Sequence, residues 1–121
     1  MLNFAANLTM MFNEVPFLER FRAAREANFH GVECLFPYDH SAFEVGKRIL
    51  DNGLTQVLFN LPPGDWAAGD RGIGALPGRE DEFKASIETA LTYAEATKCK
   101  TLHAMAGITP PDVSKEEMFN T

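Results

Sequence analysis

The chain has 121 residues and a mass of 13.4 kDa, is 45% hydrophobic and 23% charged, and carries a formal net charge of −6. That composition suits one soluble globular domain with a single core. Its acidity (pI about 5.0) argues against nucleic acid and against a polybasic membrane patch as partners. No segment approaches the ~20 apolar residues of a membrane helix, and MLNFAANLTMMFNEVPF lacks the basic n-region of a signal peptide. The two cysteines, Cys34 and Cys99, form no disulfide framework, so a reduced, cytoplasmic setting is expected.

Residues 4–8 (FAANL) form a first strand-like run. Pro16 suits the first position of a helix, in which Phe17, Phe21 and Ala24 recur at helical spacing. Asn28 is a left-handed stop. Residues 31–36 (GVECLF) read as the second strand, closed by Pro37. Ser41 and Glu44 have the spacing of a capping box. They open a helix whose apolar face is Val45, Ile49 and Leu50 and whose end is Asn52-Gly53. Residues 54–61 (LTQVLFNL) are the third strand, followed by a Gly/Pro-rich loop over residues 62–78. Asp81 and Glu82 favour the N-terminus of a third helix, with Phe83, Ile87, Leu91 and Ala94 as its buried stripe and Lys98 and Lys100 near its end. Residues 101–106 (TLHAMA) are the fourth strand, and Ser114 with Glu117 caps a last helix.

This alternation means a parallel sheet with right-handed helical crossovers. It fits an open doubly wound sheet or part of a (β/α)8 barrel. The fourth helix has a proper start but reaches only Thr121, too short to hold itself helical. Four β-α units are close to half of a barrel of ~250 residues. The expectation is therefore α/β: one partial TIM-barrel domain over residues 1–121, the N-terminal half, ending within the fourth helix.

Parallel α/β folds place their sites at strand C-termini. Asn7, Glu33, Phe36 to Asp39, Asn60 and His103 fall there, a set that suits a small polar ligand against apolar walls. Against this, a strand-end Asn often satisfies turn backbone, and His103 could be a hydrogen-bonded core residue. Glu33, inside an apolar run, is a candidate acid or base. The favoured alternative pairs it with a Lys or Arg inside the barrel. Asp39, His40 and Glu44 hint at a metal cluster, but the capping box explains Glu44, and the three histidines are too scattered for a zinc finger. The long loop holds the only Trp, Trp66, near Asp65 and Arg71. Its glycines make it a candidate lid, with Arg71 able to grip a carboxylate in bidentate fashion. Equally, Trp66 could pin the loop to the barrel rim. Residues 72–78 fail the G-x-G-x-x-G spacing of a dinucleotide site. Cys34 and Cys99 read as packing residues.

FAANLTMMFNEVPFLERF, VECLFPYD, LFNLPPGDWAAGDRGIGALPGRE and HAMAG closely resemble the hydroxypyruvate isomerase family, which includes the 2-oxo-tetronate isomerases and belongs to the xylose isomerase-like (β/α)8 barrels. The resemblance runs the length of the chain. It implies aldose–ketose isomerisation of a small hydroxy-oxo acid through an enediolate, hydroxypyruvate and tartronate semialdehyde being one such pair. It also implies two catalytic glutamates and an Asp and a Gln around a divalent cation, Mg or Mn. Those residues belong to the second half of the family barrel, beyond Thr121, so no catalytic or metal-ligating residue is assigned here. Asn7, Phe36, Tyr38, Asn60, Trp66, Arg71 and His103 lie in matching segments as substrate-lining residues. Cys34 stands where relatives often carry an aromatic, and Asn28 where Gly is usual.

An alternative from another class is a non-catalytic half-barrel that binds a partner chain or pairs with itself as a homodimer through open strand edges. Phosphodiester hydrolysis, known in the same superfamily, is disfavoured by the −6 charge and the three histidines. The 121-residue chain by itself is expected to be inactive; metal-dependent turnover of hydroxypyruvate by the purified chain would contradict that expectation.

Overall fold

Local devices punctuate the chain as the sequence indicates. Ser41 Oγ accepts from the Glu44 amide at 3.2 Å while the Glu44 carboxylate accepts from the Ser41 amide at 3.1 Å. Ser114 and Glu117 repeat the exchange at 3.1 and 2.8 Å. Asn28 takes φ +66° just past the first helix, a left-handed stop that Asn tolerates. Pro16 sits one position earlier than expected, as the N-cap.

The computed structural model describes residues 1–121. Its elements are β1 (Ala5–Asn7), α1 (Phe17–Glu26), β2 (Gly31–Glu33), α2 (Ala42–Asp51), β3 (Thr55–Asn60), α3 (Glu80–Thr97), β4 (Leu102–His103) and α4 (Lys115–Asn120). The strands pair in the order β1-β2-β3-β4, all parallel. That order decides between the two architectures. Right-handed crossovers along an unreversed order keep the helices on one face, whereas a doubly wound sheet must reverse. The fold is the N-terminal half of a (β/α)8 barrel.

Burial alternates accordingly. Ala6, Val32, Gln56 and Phe59 are buried, and Ala6, Leu8, Val32 and Phe59 form the core with Phe21 and Ala24 of α1 and Val45 and Ile49 of α2. Ala5 and Val57, on the opposite face, are exposed. A register shift between Val32 and Glu33 brings Glu33 opposite Leu58, a bulge that re-aims the strand end.

Two apolar positions depart from expectation. Leu50 is 76% exposed and Leu91 54% exposed. Leu50 lies one residue, about 100° of turn, from Ile49, outside the arc set by Val45 and Ile49. On α3 the buried line runs through Ser86, Ala90 and Thr97. Small side chains win there because α2 comes close: a Cβ on Gly46 would lie 2.5 Å from the Ala96 carbonyl oxygen.

Strands two and four are shorter than expected. After Glu33 the Leu35 amide donates to Thr9 Oγ1 at 2.9 Å, and pairing with β3 continues only irregularly, through the Cys34 amide to the Leu58 carbonyl at 3.3 Å and the Asn60 amide to the Leu35 carbonyl at 2.9 Å. After His103 the chain turns to receive the long loop: Gly74 and Ala75 amides donate to the Met105 and Ala106 carbonyls at 3.0 and 2.8 Å.

In an ordinary helix interior Gly→Ala stabilises by about 1 kcal/mol. Here Gly46→Ala is expected to destabilise by about 1–3 kcal/mol through overpacking against α3, whereas Leu50→Ser stays within about 0.5 kcal/mol. Urea unfolding midpoints check both; a Gly46→Ala midpoint at or above wild type would refute the close crossing.

Candidate functional site

The C-terminal ends of the strands carry two amide-centred pairs. On β1 and β2, Asn7 Nδ2 donates to Glu33 Oε1 at 3.2 Å, and Asn7 Oδ1 accepts from the Thr9 amide at 3.0 Å. Asn7 thus both closes its turn and orients a half-buried carboxylate. Glu33 was expected to meet a Lys or Arg; its partner is an amide, and no cation of the chain bridges to it.

On β3 and β4, Asn60 is buried and its Oδ1 lies 3.2 Å from His103 Nδ1, with Nδ2 turned to Met105 Sδ at 3.9 Å. An amide oxygen only accepts, so Nδ1 is the donor of this pair and Nε2 is left for a ligand. His103 is exposed in this chain.

Tyr38 spends its hydroxyl on structure. It donates to the Asn60 carbonyl at 2.5 Å and packs edge-on against Phe59 and Tyr93. Tyr93 in turn donates to the His40 carbonyl at 2.6 Å, and the His40 ring stacks on Phe17. Asp39, His40 and Glu44 form no metal cluster: no three His, Cys, Asp or Glu side chains of the chain could hold a metal ion. The residues present therefore do not form the Mg or Mn site that the resemblance implies. Burial pushes the Cys34 thiol from its ordinary 9.0 up to about 12, so it stays neutral and inert.

The loop over residues 62–78 is docked against the chain after β4 as a shelf. Ile73 and Leu76 are buried, Gly72 donates to the Pro63 carbonyl at 2.9 Å and bridges antiparallel to Ala106. Gly72 has φ +102°, and a Cβ there would collide with the Met105 Cβ. Trp66 meets the Phe36 ring at 5.1 Å between centroids, which brings the shelf to the end of β2. The Arg71 guanidinium lies 3.9 Å above the Trp66 ring, and its Nη1 donates to the Trp66 and Asp70 carbonyls at 3.1 and 2.6 Å. Its Nε and Nη2 donors remain for a ligand.

A family profile described as "Xylose isomerase-like TIM barrel" matches residues 21–121. The chain belongs to the xylose isomerase-like TIM barrel family. It is 54% identical to the 2-oxo-tetronate isomerase of Cupriavidus necator over 95% of this chain and 44% of that protein. It is 46% identical to the hydroxypyruvate isomerase of Escherichia coli over 100% of this chain and 47% of that protein. A solved structure described as an AP endonuclease, family 2, from Brucella melitensis superposes with a TM-score of 0.96 at 57% identity, covering 99% of this chain and 46% of the other. The chain thus spans 44–47% of the length of these relatives. Within the family barrel, the residues above line the C-terminal rim, where barrel enzymes carry their sites.

The sequence pointed to Asn7, Phe36, Asn60, Trp66, Arg71 and His103, all of which reach this rim, and to Tyr38, which supports it from behind. Thr9, Asp70 and Arg79 escaped notice because nothing in their spacing marks them as partners.

Burial, with Cys34 and Tyr93 nearby, holds the Tyr38 phenol well above its ordinary 10.0. A raised folded-state value means a stability contribution present in full below pH about 10 and lost as pH climbs beyond it. Tyr38→Phe is expected to cost about 0.5–1.5 kcal/mol at neutral pH. Below pH about 11 it should leave the phenolate absorbance of the folded protein unchanged; an absorbance loss at lower pH would place Tyr38 in water.

Proposed function

We propose that this chain forms the substrate-side wall of an isomerase that interconverts small hydroxy-oxo acids. Hydroxypyruvate with tartronate semialdehyde is one such pair and a 2-oxo-tetronate another. One observation carries the proposal: the same rim offers a preset guanidinium on an aromatic face and two amide-centred pairs, the set a carboxylate bearing hydroxyl and carbonyl groups requires. The names of relatives at 46–54% identity support the same chemistry.

Arg71 grips the acid through its remaining donors. Asn60 holds His103 so that Nε2 accepts from a substrate hydroxyl. Asn7 orients Glu33 toward the other hydroxyl end, Phe36 and Trp66 supply apolar walls, and Tyr38 acts through the Asn60 main chain. Proton transfer between adjacent carbons through an enediolate needs an acid–base pair and electrophilic help at the carbonyl. In this proposal those come from residues outside this chain, including the ligands of a Mg or Mn ion. A cytoplasmic setting suits the two buried, unbridged cysteines. No helix is long and apolar enough to cross a membrane.

A half-barrel that pairs with a second copy is the alternative that a specific observation favours: β1 and β4 are unpaired edges beside exposed Leu2, Phe4 and Val57. A concentration-dependent dimer in sedimentation would support it. A nuclease reading, suggested by the name given to the Brucella protein, is opposed by the −6 charge of this chain.

The test is conversion of hydroxypyruvate and of a 2-oxo-tetronate by the protein as its source makes it, followed by NMR in deuterium oxide. Turnover with deuterium at the carbon that receives the proton is expected, abolished by chelation and restored by Mg or Mn. Arg71→Ala should raise KM by about 10- to 100-fold, as loss of a charged hydrogen bond implies. Absence of turnover of both acids would overturn the proposal.

A further inference from the structure

Arg71 can serve as an acid-binding group only if the shelf under it does not move, and the shelf is built around one carboxylate. Asp70 Oδ2 accepts from the Asp65 amide at 2.7 Å and lies 2.8 Å from Arg79 Nη1. Arg79, at the start of α3, is itself fixed in two-pronged fashion by Glu82, Nε to Oε2 and Nη2 to Oε1, both at 2.8 Å. Gly64 has φ +85°, and a Cβ there would collide with Asp70 Oδ2, so the turn closes directly on this carboxylate. Asp65 Oδ1 then accepts from the Ala68 amide at 3.0 Å, and the Asp70 carbonyl receives Arg71 Nη1. The segment from Asp65 to Arg71 that carries Trp66 is thus tied through Asp70 to the N-terminus of α3.

We propose that the Asp70–Arg79 pair, braced by Glu82, is the positioning device that holds Trp66 and Arg71 in place as the carboxylate-binding shelf of the rim. Neither Asp70 nor Arg79 touches the substrate; both act through Arg71. The proposal rests on the reading of Arg71 as the group that binds the acid. The arrangement has a physical rationale. A surface arginine with a free side chain would lose rotamer freedom on binding, whereas one already stacked on an aromatic face and fastened to two carbonyls has lost it on folding. Anchoring the loop to a long helix extends that preorganisation to the backbone. The pair is only partly exposed, at 29% for the Arg79 and 23% for the Asp70 side chain, and Arg79 and the Asp65 amide hold the Asp70 carboxyl below the ordinary carboxylate range.

Trp66 is the only tryptophan of these 121 residues, and its fluorescence, taken as the difference between the protein and its Trp66→Phe variant, reports the shelf without any ligand. Asp70→Asn and Arg79→Gln, made in the protein at its natural length, are expected to increase acrylamide quenching of Trp66 and to raise KM for the hydroxy-oxo acid about tenfold, some 1.4 kcal/mol, with kcat within about twofold. Arg79→Lys, which keeps the charge but not the fork, should recover part of both effects. Arg79 lies outside the turn itself, so Arg79→Gln decides the matter if Asp70→Asn does not fold. Quenching unchanged in the folded variants, or a fall in kcat at constant KM, would overturn the proposal. Increased quenching in both variants, with no acid turned over by the wild type, would uphold the pair as the anchor of the shelf and overturn the isomerase reading instead.

Discussion

Everything at the rim depends on one constraint: parallel strands that pair with their sequence neighbours through right-handed crossovers. With the order β1-β2-β3-β4 unreversed, α1, α2 and α3 pack on the same face, and each strand delivers its last residue to the same end. Asn7, Glu33, Asn60 and His103 then stand on successive strands although they are scattered over the chain. The other face of the sheet is left to Ala5, Val57 and the rim residues.

The rim couples charged or titratable side chains to amides. Glu33 is held by Asn7, and His103 by Asn60. An amide satisfies a hydrogen-bonding group without bringing a counter-charge, so neither side chain is tied up in an ion pair. Pairing Glu33 with a lysine would have spent its charge internally. The guanidinium of Arg71 is handled similarly: Trp66 and two carbonyls fix its plane while leaving its charge unopposed by direct contact with a carboxylate. These groups are held in place before any ligand arrives, which is what the proposed recognition of a small acid requires.

Local features were legible in the sequence. Both capping boxes, the left-handed Asn28 and the Asn52-Gly53 end of α2 form because their partners lie within a few residues. The β-α alternation was legible for the same reason. Exposure of Leu50 and Leu91 was not, since a helix presents its face to whatever neighbour arrives, and the near contact of Gly46 with Ala96 selects small residues over large ones. Nor was the state of the long loop. Its glycines fit a hinge and a tight dock equally well, and the approach of Gly72 to Met105 decides for the dock.

The sequence by itself determined the element order, the helix boundaries and the segments that reach the rim, because caps, turn residues and hydrophobic period act over a handful of bonds. Only the tertiary structure decided what each rim residue does. The partners of Asn7, Asn60 and Tyr93 lie 26, 43 and 53 residues away in sequence. A hydrogen bond depends on distances of tenths of an ångström, and spacing along a chain does not specify them until the strands are paired and the helices packed.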